Sequence, residues 1–285
     1  MTVMMTAEAA RAFFAEELRV SFSLTSAALV DALATVPREQ FLPPGPWMYR
    51  AEGSGASKLT DSDDPRHVYH NVAVAIDAAR NLYNGQPGLV AGWIQQLGVS
   101  AGERVVHIGC GTGYFTALLA HVVGPTGHVH AVDVDADLAA RARAALAASP
   151  WVTVETGDGR TGLPKDADVV LVHAGATHVL DEWLDALGPR GRLLCSLTVS
   201  MPAMGASLGK GAVVLIARNG DAWSARLLSM VAIYSLVGLR DADRESALGQ
   251  AFRSSPMPLF TRLRRDPHDA GPACWLHGPT SCLSA

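Results

Sequence analysis

Three closely spaced glycines follow an apolar stretch near the middle of the chain and precede a helical stretch. They are Gly109, Gly111 and Gly113, within Val105-Val-His-Ile-Gly-Cys-Gly-Thr-Gly-Tyr114. Glycine lets the backbone turn tightly and approach a bound molecule with no Cβ in the way. A dinucleotide-binding fingerprint, G-x-G-x-x-G, needs glycine at the position that Tyr114 occupies. The spacing therefore indicates a strand, a turn and a helix that bind a different ligand.

Acidic residues follow the next two apolar stretches. Asp133 comes directly after His128-Val-His-Ala-Val132, about 20 residues beyond the glycines, where a carboxylate can accept hydrogen bonds from ribose hydroxyls. Asp135 is an alternative for the same role. Asp158, in Gly157-Asp-Gly159, is placed to accept a hydrogen bond from an adenine amino group. Together these residues indicate a ligand that contains a nucleoside.

The glycine spacing and the two acidic positions resemble the cofactor motifs of the class I S-adenosylmethionine-dependent methyltransferases. The resemblance implies an enzyme whose cofactor is S-adenosyl-L-methionine and whose product is S-adenosyl-L-homocysteine. The cofactor-binding residues that it implies are Gly109, Cys110, Gly111, Gly113, Tyr114, Asp133, Val134, Gly157, Asp158 and Gly159.

Apolar stretches alternate with helical ones from Leu89 to about Thr198. Such alternation is typical of a parallel sheet covered by helices. We therefore expect an α/β fold with a Rossmann-like, doubly wound, mostly parallel sheet and helices on both faces. His173 is expected to follow the fourth strand of this sheet.

The two flanks of this region have a different character. Helical spacing of apolar residues predicts N-terminal helices from Thr6 to about Phe41, whereas 43–86 has the composition of an irregular segment. Beyond Met201, two strands are predicted around the turn Asn219-Gly-Asp221, and the tail from Leu259 has no clear period. The expected division is 1–88, N-terminal helices and substrate-covering segment; 89–200, cofactor-binding core; and 201–285, C-terminal strands and tail completing the sheet and pocket.

Three segments give a closer resemblance, to the protein-isoaspartate O-methyltransferase family. Ala34-Thr-Val-Pro-Arg-Glu-Gln-Phe-Leu-Pro43 resembles the family's V-P-R-E-x-F-x-P segment. Asn84-Gly-Gln-Pro87 stands where the family has T-I-S-Q-P, and Gly157-Asp-Gly-Arg-Thr-Gly-Leu-Pro164 resembles its G-D-G-x-x-G-x-P stretch. The resemblance covers about Leu29 to Leu197.

One departure from this family bears on the acceptor of the methyl group. Gly85 stands where the family carries its active-site serine, and 124–127 and the tail around Cys274 fit a longer branch. We therefore expect the acceptor to be a small molecule, specifically an aromatic or indole-type intermediate of bacterial secondary metabolism. The first alternative is a carboxyl O-methyltransferase acting on aspartyl or isoaspartyl groups of a peptide or protein. The second is a non-catalytic cofactor-binding module.

An acceptor that loses a proton needs a general base, and histidine has a pKa near neutrality. The candidate catalytic residues are Tyr69, His70 and His173, and the candidate substrate-binding residues are Tyr83, Asn84 and Gln86. For each residue the competing interpretation is structural, either a side chain hydrogen-bonded to the backbone or a solvated loop position.

Composition excludes several other classes of function. The net charge of −4 comes without a basic block, which argues against a nucleic-acid partner. No apolar run approaches the ~18 residues that span a bilayer. The cysteines, which lack C-x-x-C spacing, indicate reduced thiols in a cytoplasmic protein. No metal-ligand set is predicted, since the carboxylates of 61–64 fit a solvated turn, and homodimerisation stays open.

Overall fold

The computed structural model describes residues 5–51, 56–201, 207–257 and 259–285. The chain forms two compact units that interleave along the sequence. The first comprises Met1–Gly102, Cys110–Val129 and Asp135–Thr156, and the second comprises Glu103–Gly109, His130–Val134 and Gly157–Ala285. None of the helices in the described ranges combines the length and apolarity needed to cross a membrane.

The described residues of the first unit form five α-helices. The predicted N-terminal helices are confirmed as α1 and α2, and the side chains of Thr6 and Ser26 accept hydrogen bonds from backbone N–H groups in their first turns. In order, the helices are α1 (Ala7–Ser21), α2 (Ala27–Thr35), α3 (Pro87–Leu97), α4 (Tyr114–Val123) and α5 (Ala136–Ala145).

A small antiparallel sheet lies within the segment 43–86, which the sequence predicted to be irregular. Its strands are β1 (Met48–Arg50), β2 (Lys58–Leu59), β3 (Ala73–Asp77) and β4 (Leu82–Tyr83), in the order β2-β1-β3-β4. The prediction was wrong because strands of two to five residues are too short to show a period between turns rich in Pro, Gly and Asp. Trp47, Val68, Val74 and Ile76 form the apolar core beneath them.

The buried guanidinium of Arg38 joins the pieces of this unit. It donates hydrogen bonds to the carbonyl oxygens of Val68, His70 and Val72 at 2.7, 3.1 and 2.7 Å, and to Asn84 Oδ1 at 3.2 Å. Burial lowers its pKa to about 10, so the side chain is still charged at neutral pH. One side chain thus fixes the path of 68–72 and the end of β4.

The strands that follow alternate with the helices of the central region. They are β5 (Arg104–Ile108), β6 (His128–Asp133), β7 (Val152–Thr156), β8 (Ala167–Ala176) and β9 (Leu187–Ser200). The hairpin predicted around Asn219-Gly-Asp221 is confirmed as β10 (Leu208–Asn219) and β11 (Ala222–Tyr234). The remaining elements are α6 (Asp181–Asp185), α7 (Ala242–Ser254), β12 (Arg262–Arg264), β13 (Cys274–His277) and β14 (Cys282–Ser284).

Within the second unit the strands lie in the order β13-β14-β12-β11-β10-β9-β8-β5-β6. The pairs β5–β8 and β8–β9 are parallel, whereas β9 to β14 pair antiparallel. The expected Rossmann-like α/β fold is confirmed, with the C-terminal strands as an antiparallel extension. β5 lies between β8 and β6, so the order of the strands reverses at β5. Its carboxyl end is therefore the switch point, where ligands bind in such sheets.

Two local predictions need correction. The fourth strand of the central region, β8, continues through His173 to Ala176, so His173 lies inside the strand and not after it. The tail without a clear period forms β12 to β14, because strands of three or four residues leave no periodic signal.

Replacing Arg38 tests its structural role. Arg38→Met leaves the carbonyl oxygens of Val68, His70 and Val72 without their donor, and buried acceptors without partners are costly. We expect the free energy of unfolding to fall by about 3 kcal/mol, measured by urea denaturation at neutral pH. The control is Arg19→Met, which removes an exposed pair with Glu16 and should leave the free energy of unfolding nearly unchanged. Equal effects of the two substitutions would contradict this role.

Candidate functional site

Two backbone hydrogen bonds join strand ends in the second unit. The N–H of Gly109, directly after β5, donates to the carbonyl of Val132 at 2.8 Å, and the N–H of Gly157 donates to that of Asp133 at 2.9 Å. Three of the predicted cofactor-binding residues, Gly109, Asp133 and Gly157, are therefore neighbours. They lie at the carboxyl ends of parallel strands, where a ligand of this fold is expected.

Gly109 is held in a conformation that favours glycine. Its φ is +77°, and a Cβ at this position would lie 3.3 Å from the carbonyl oxygen of His173. A side chain there would be strained by its backbone angle and crowded by β8. The turn after β5 thus packs its bare backbone against the neighbouring strand.

Asp133 and Val134 stand at the end of β6 with contrasting exposure. Asp133 is 9% exposed, whereas the apolar side chain of Val134 is 52% exposed. The alternative acidic residue, Asp135, caps α5 through the N–H groups of Asp137 and Leu138 and forms an ion pair with Arg80. These contacts give the Asp135 carboxylate a structural role at the start of α5.

The Gly157-Asp-Gly159 turn is tied to other parts of the second unit. Arg160 forms hydrogen bonds with both carboxylate oxygens of Asp158, and this contact lowers the pKa of Asp158. The carbonyl of Gly159 accepts a hydrogen bond from Trp183 Nε1 at 2.8 Å. The Asp158 carboxylate therefore stays ionised, with its orientation set by Arg160.

The rest of the glycine turn belongs to the first unit. Gly113 has φ +95°, and a Cβ there would lie 3.1 Å from the side chains of Ala142 and Leu146. Cys110 is buried, and Gly111 also has a positive φ of +56°. Helix α4 begins directly after Gly113 without a side-chain cap, so that its first N–H groups are not satisfied by a capping residue.

The side chain of Tyr114 packs inside the first unit. Its ring lies 5.9 Å from that of Phe41 and 5.7 Å from the Arg38 guanidinium. Burial raises its pKa to about 12, and its hydroxyl has no hydrogen-bond partner among the described residues. Any role of Tyr114 in cofactor binding would therefore involve its backbone.

His173 stacks on a second histidine inside the sheet. Its ring centroid lies 5.7 Å from that of His107, with the planes 20° apart. Burial lowers the pKa of His173 to about 4 and that of His107 well below its usual value. Both rings are neutral at physiological pH, and His173 is a weak proton acceptor.

Tyr69 is also held by structural contacts. Its hydroxyl donates to Glu39 and accepts from Arg11 Nη1 at 3.2 Å, and its ring packs on Phe14 at 6.0 Å. Burial raises its pKa well above the usual value. These contacts give Tyr69 a role in anchoring 68–72 to α1 and do not favour loss of its proton.

The other predicted acceptor-site residues lie in the same unit as Tyr69. His70 is exposed, Tyr83 Oη contacts Ser57 Oγ at 2.7 Å, and Arg50 lies over its ring at 4.3 Å. Asn84 Oδ1 accepts from Val74 N at 2.9 Å and from Arg38, and Gln86 is the N-cap residue of α3. The central role of Arg38 escaped the sequence analysis, although it stands in the V-P-R-E-x-F-x-P segment.

Comparisons with known proteins give matches over most of the chain. The family model described as Protein-L-isoaspartate(D-aspartate) O-methyltransferase matches residues 11–204. A protein-L-isoaspartate O-methyltransferase of Aeropyrum pernix is 34% identical over 190 residues, which are 65% of this chain and 65% of that protein. The chain thus spans just under two thirds of that relative. One of Methylorubrum extorquens is 30% identical over 238 residues, 82% of this chain and 91% of that protein.

A solved structure extends the likeness to the fold. A Plasmodium falciparum protein described as a protein-L-isoaspartate O-methyltransferase, in complex with S-adenosyl-L-homocysteine, superimposes with a TM-score of 0.58 at 15% identity. The match covers 79% of this chain and 97% of that one. At such an identity the likeness shows a shared α/β architecture.

The stacked pair of His107 and His173 predicts sensitivity to acid. Between about pH 6.5 and 4, the unfolded chain binds protons that the folded His107 and His173 do not, so stability falls as the pH falls. Each histidine contributes a slope of up to about 1.4 kcal/mol per pH unit. Urea denaturation across this range should show a smaller slope for His173→Gln than for the unmodified chain. An unchanged slope in His173→Gln would contradict the assignment.

Proposed function

The chain belongs to the protein-L-isoaspartate(D-aspartate) O-methyltransferase family, and we propose that it methylates the side-chain carboxylate of an isoaspartyl or aspartyl residue in a peptide or protein. The observation that carries this proposal is the family match over residues 11–204. Membership confirms the predicted resemblance, an S-adenosyl-L-methionine-dependent methyltransferase, and with it the predictions of an enzyme and of its cofactor.

The expectation of a small-molecule acceptor was wrong. It rested on Gly85, in the position of the family serine, and on 124–127 and the tail around Cys274. The family match and the relatives in Aeropyrum pernix and Methylorubrum extorquens favour the peptide or protein alternative. The assignment to secondary metabolism is withdrawn with it, and a non-catalytic module does not agree with membership in an enzyme family.

The residues at the strand ends of the second unit fit the cofactor. Gly109 presents bare backbone at a positive φ, and Asp133 supplies a largely buried carboxylate next to it. The exposed side chain of Val134 offers an apolar surface on which a flat adenine ring can pack. Asp158, oriented by Arg160, completes this set. For Cys110, Gly111, Gly113 and Tyr114, the proposed role rests on the sequence motif.

The proposed reaction requires little proton transfer by the protein. S-adenosyl-L-methionine, when bound, supplies a methyl group on a positively charged sulfur. A carboxylate oxygen of the acceptor forms the new C–O bond as the S–CH₃ bond breaks, which yields a methyl ester and S-adenosyl-L-homocysteine. A side-chain carboxyl with a pKa near 4 is already ionised at neutral pH. The main task of the site is therefore to hold the two reactants in line at about 3–3.5 Å.

This chemistry changes the roles of the three proposed bases. An ionised carboxylate has no proton to lose, so the reaction requires no base from Tyr69, His70 or His173. The low pKa of His173 and the raised pKa of Tyr69 agree with structural roles. We retain Tyr83, Asn84 and Gln86 as proposed acceptor contacts, supported by the fixed path that Arg38 gives to this part of the chain.

Other expectations remain proposals of the same kind. The three-part division into 1–88, 89–200 and 201–285 and the cytoplasmic location rest on the sequence pattern alone, and homodimerisation stays open. The absence of a nucleic-acid partner rests on the lack of a basic block and the net charge of −4.

Asp133→Ala tests the cofactor assignment. Removal of the carboxylate leaves buried ribose hydroxyls without an acceptor, and we expect S-adenosyl-L-homocysteine to bind ~1–3 kcal/mol more weakly. Isothermal titration calorimetry measures the change. Asp137→Ala, which removes another carboxylate three residues beyond Val134, is the matched control and should bind as the unmodified chain does. Unchanged affinity in Asp133→Ala would remove Asp133 from this role.

The proposed acceptor is tested with a matched pair of peptides that differ only in one isoaspartyl or aspartyl linkage. We expect the chain to transfer labelled methyl groups from S-adenosyl-L-methionine to the isoaspartyl peptide as base-labile esters. The family resemblance places a serine at position 85, so Gly85→Ser should raise the rate, whereas Gly85→Ala, which adds volume without a hydroxyl, should not. If the chain binds cofactor but neither peptide gains a base-labile label, the proposed function is incorrect.

A further inference from the structure

Four potential metal ligands converge in the C-terminal tail. The donor atoms of His268, Cys274, His277 and Cys282 all lie within 4.8 Å of one another. The pairs of thiols and imidazoles belong to a stretch that takes no part in the proposed cofactor site. The family match ends at residue 204, well before this stretch begins.

The strand pairing of the tail brings these residues together. His277 at the end of β13 pairs with Cys282 at the start of β14, and Cys282 pairs on its other side with Arg264 of β12. A tight turn, closed by a 2.9 Å hydrogen bond from Gly278 N to Ser281 O, connects β13 to β14. The four donors therefore converge through the backbone pairing and the turn.

The spacing of the donors suits a tetrahedral metal ion. Zinc binds thiolate sulfur at about 2.3 Å and imidazole nitrogen at about 2.0 Å, which places neighbouring ligand atoms roughly 3.5–4 Å apart. The distance from Cys274 Sγ to His268 Nε2 is 3.8 Å. Since all four donor atoms lie within 4.8 Å of one another, small movements of the side chains bring them to one ion.

The surroundings of two ligands also resemble those of a metal site. His268 Nδ1 lies 2.7 Å from the carbonyl oxygen of Asp266, which leaves Nε2 directed at Cys274. Gly271 N donates to Cys274 Sγ at 3.5 Å. In metal sites, the second ring nitrogen of a histidine ligand usually forms a hydrogen bond, which fixes the tautomer of the imidazole. The other ligands also commonly accept hydrogen bonds.

We propose that His268, Cys274, His277 and Cys282 bind one zinc ion. Two thiolates and two neutral imidazoles are a donor set that zinc prefers, and two negative charges balance the ion. With four protein ligands the ion has no open position, so the site is structural. It cross-links β13, β14 and the loop that follows β12, where strands of three or four residues are too short to be stable by themselves.

Sequence spacing alone did not indicate this site. The tail lacks a C-x-x-C pair, and Cys274-Trp-Leu-His277 mixes the two ligand types. The loop after β12 brings His268 to Cys274 and His277, and the β13–β14 hairpin brings Cys282 to them. The expectation of free thiols without a metal-ligand set therefore needs revision at Cys274 and Cys282, whereas Cys110 and Cys195 remain buried thiols.

The first test is the metal content of the full chain, purified under reducing conditions without chelators and without a polyhistidine tag. Elemental analysis should find about one zinc per chain. Cys274→Ser and His277→Gln should reduce the content severalfold or more, because a lost ligand typically weakens binding strongly. The controls Cys195→Ala and His128→Gln replace the same residue types elsewhere and should keep the metal. A full zinc content in Cys274→Ser would overturn the site.

The second test uses the unmodified chain and does not depend on how well the variants fold. After removal of zinc with a chelator, the reduced chain is titrated with Co²⁺, which reports tetrahedral coordination and thiolate ligation by its visible and near-ultraviolet absorption. We expect both absorption features to saturate at about one equivalent and added zinc to abolish them. The melting temperature should fall on chelation and recover with zinc. A reduced chain that gives no cobalt–thiolate absorption would overturn the proposal, whatever its methyltransferase activity.

Discussion

The hydrogen bond from Gly109 N to Val132 O is the contact on which the candidate cofactor site depends. With the bond from Gly157 N to Asp133 O, it holds the strand ends of the second unit in register. This register is possible because Gly109 adopts a positive φ and has no Cβ to meet the carbonyl of His173. Backbone packing, more than any polar side chain, thus places Asp133 next to the turn after β5.

A buried charge has the corresponding role in the first unit. Burial of the Arg38 guanidinium is compensated by the carbonyl oxygens of 68–72 and by Asn84, and burial without such partners would be costly. Five N–H donors in a rigid fork let one side chain bind several carbonyls at once. The segment that carries Tyr69 and Tyr83 is therefore ordered by a residue distant from it in sequence.

The identity of the acceptor determines which side chains the reaction needs. A small-molecule acceptor with a proton to lose made Tyr69, His70 and His173 attractive as bases. The acceptor under the proposed function is a carboxylate, which is ionised at neutral pH and needs only to be positioned. The hydrogen bonds of Tyr69 and the stacking of His173 on His107 agree with this simpler chemistry. The surroundings of Tyr69 and of His173 favour the uncharged form of each side chain.

The sequence by itself determined the strand–turn–helix order, the cofactor class and the acidic residue at the end of β6, because these depend on local spacing along one chain. It missed β1 to β4 and β12 to β14, whose two to five residues are too short for a period. Only the tertiary structure decided that His173 stacks on His107 within the sheet and that Arg38 binds the segment 68–72. Only it brought His268, Cys274, His277 and Cys282 within 4.8 Å of one another. The burial of a side chain and the convergence of distant ligands depend on which strands pair. Strand pairing brings together residues that are far apart in the sequence, and their spacing along the chain does not indicate this contact.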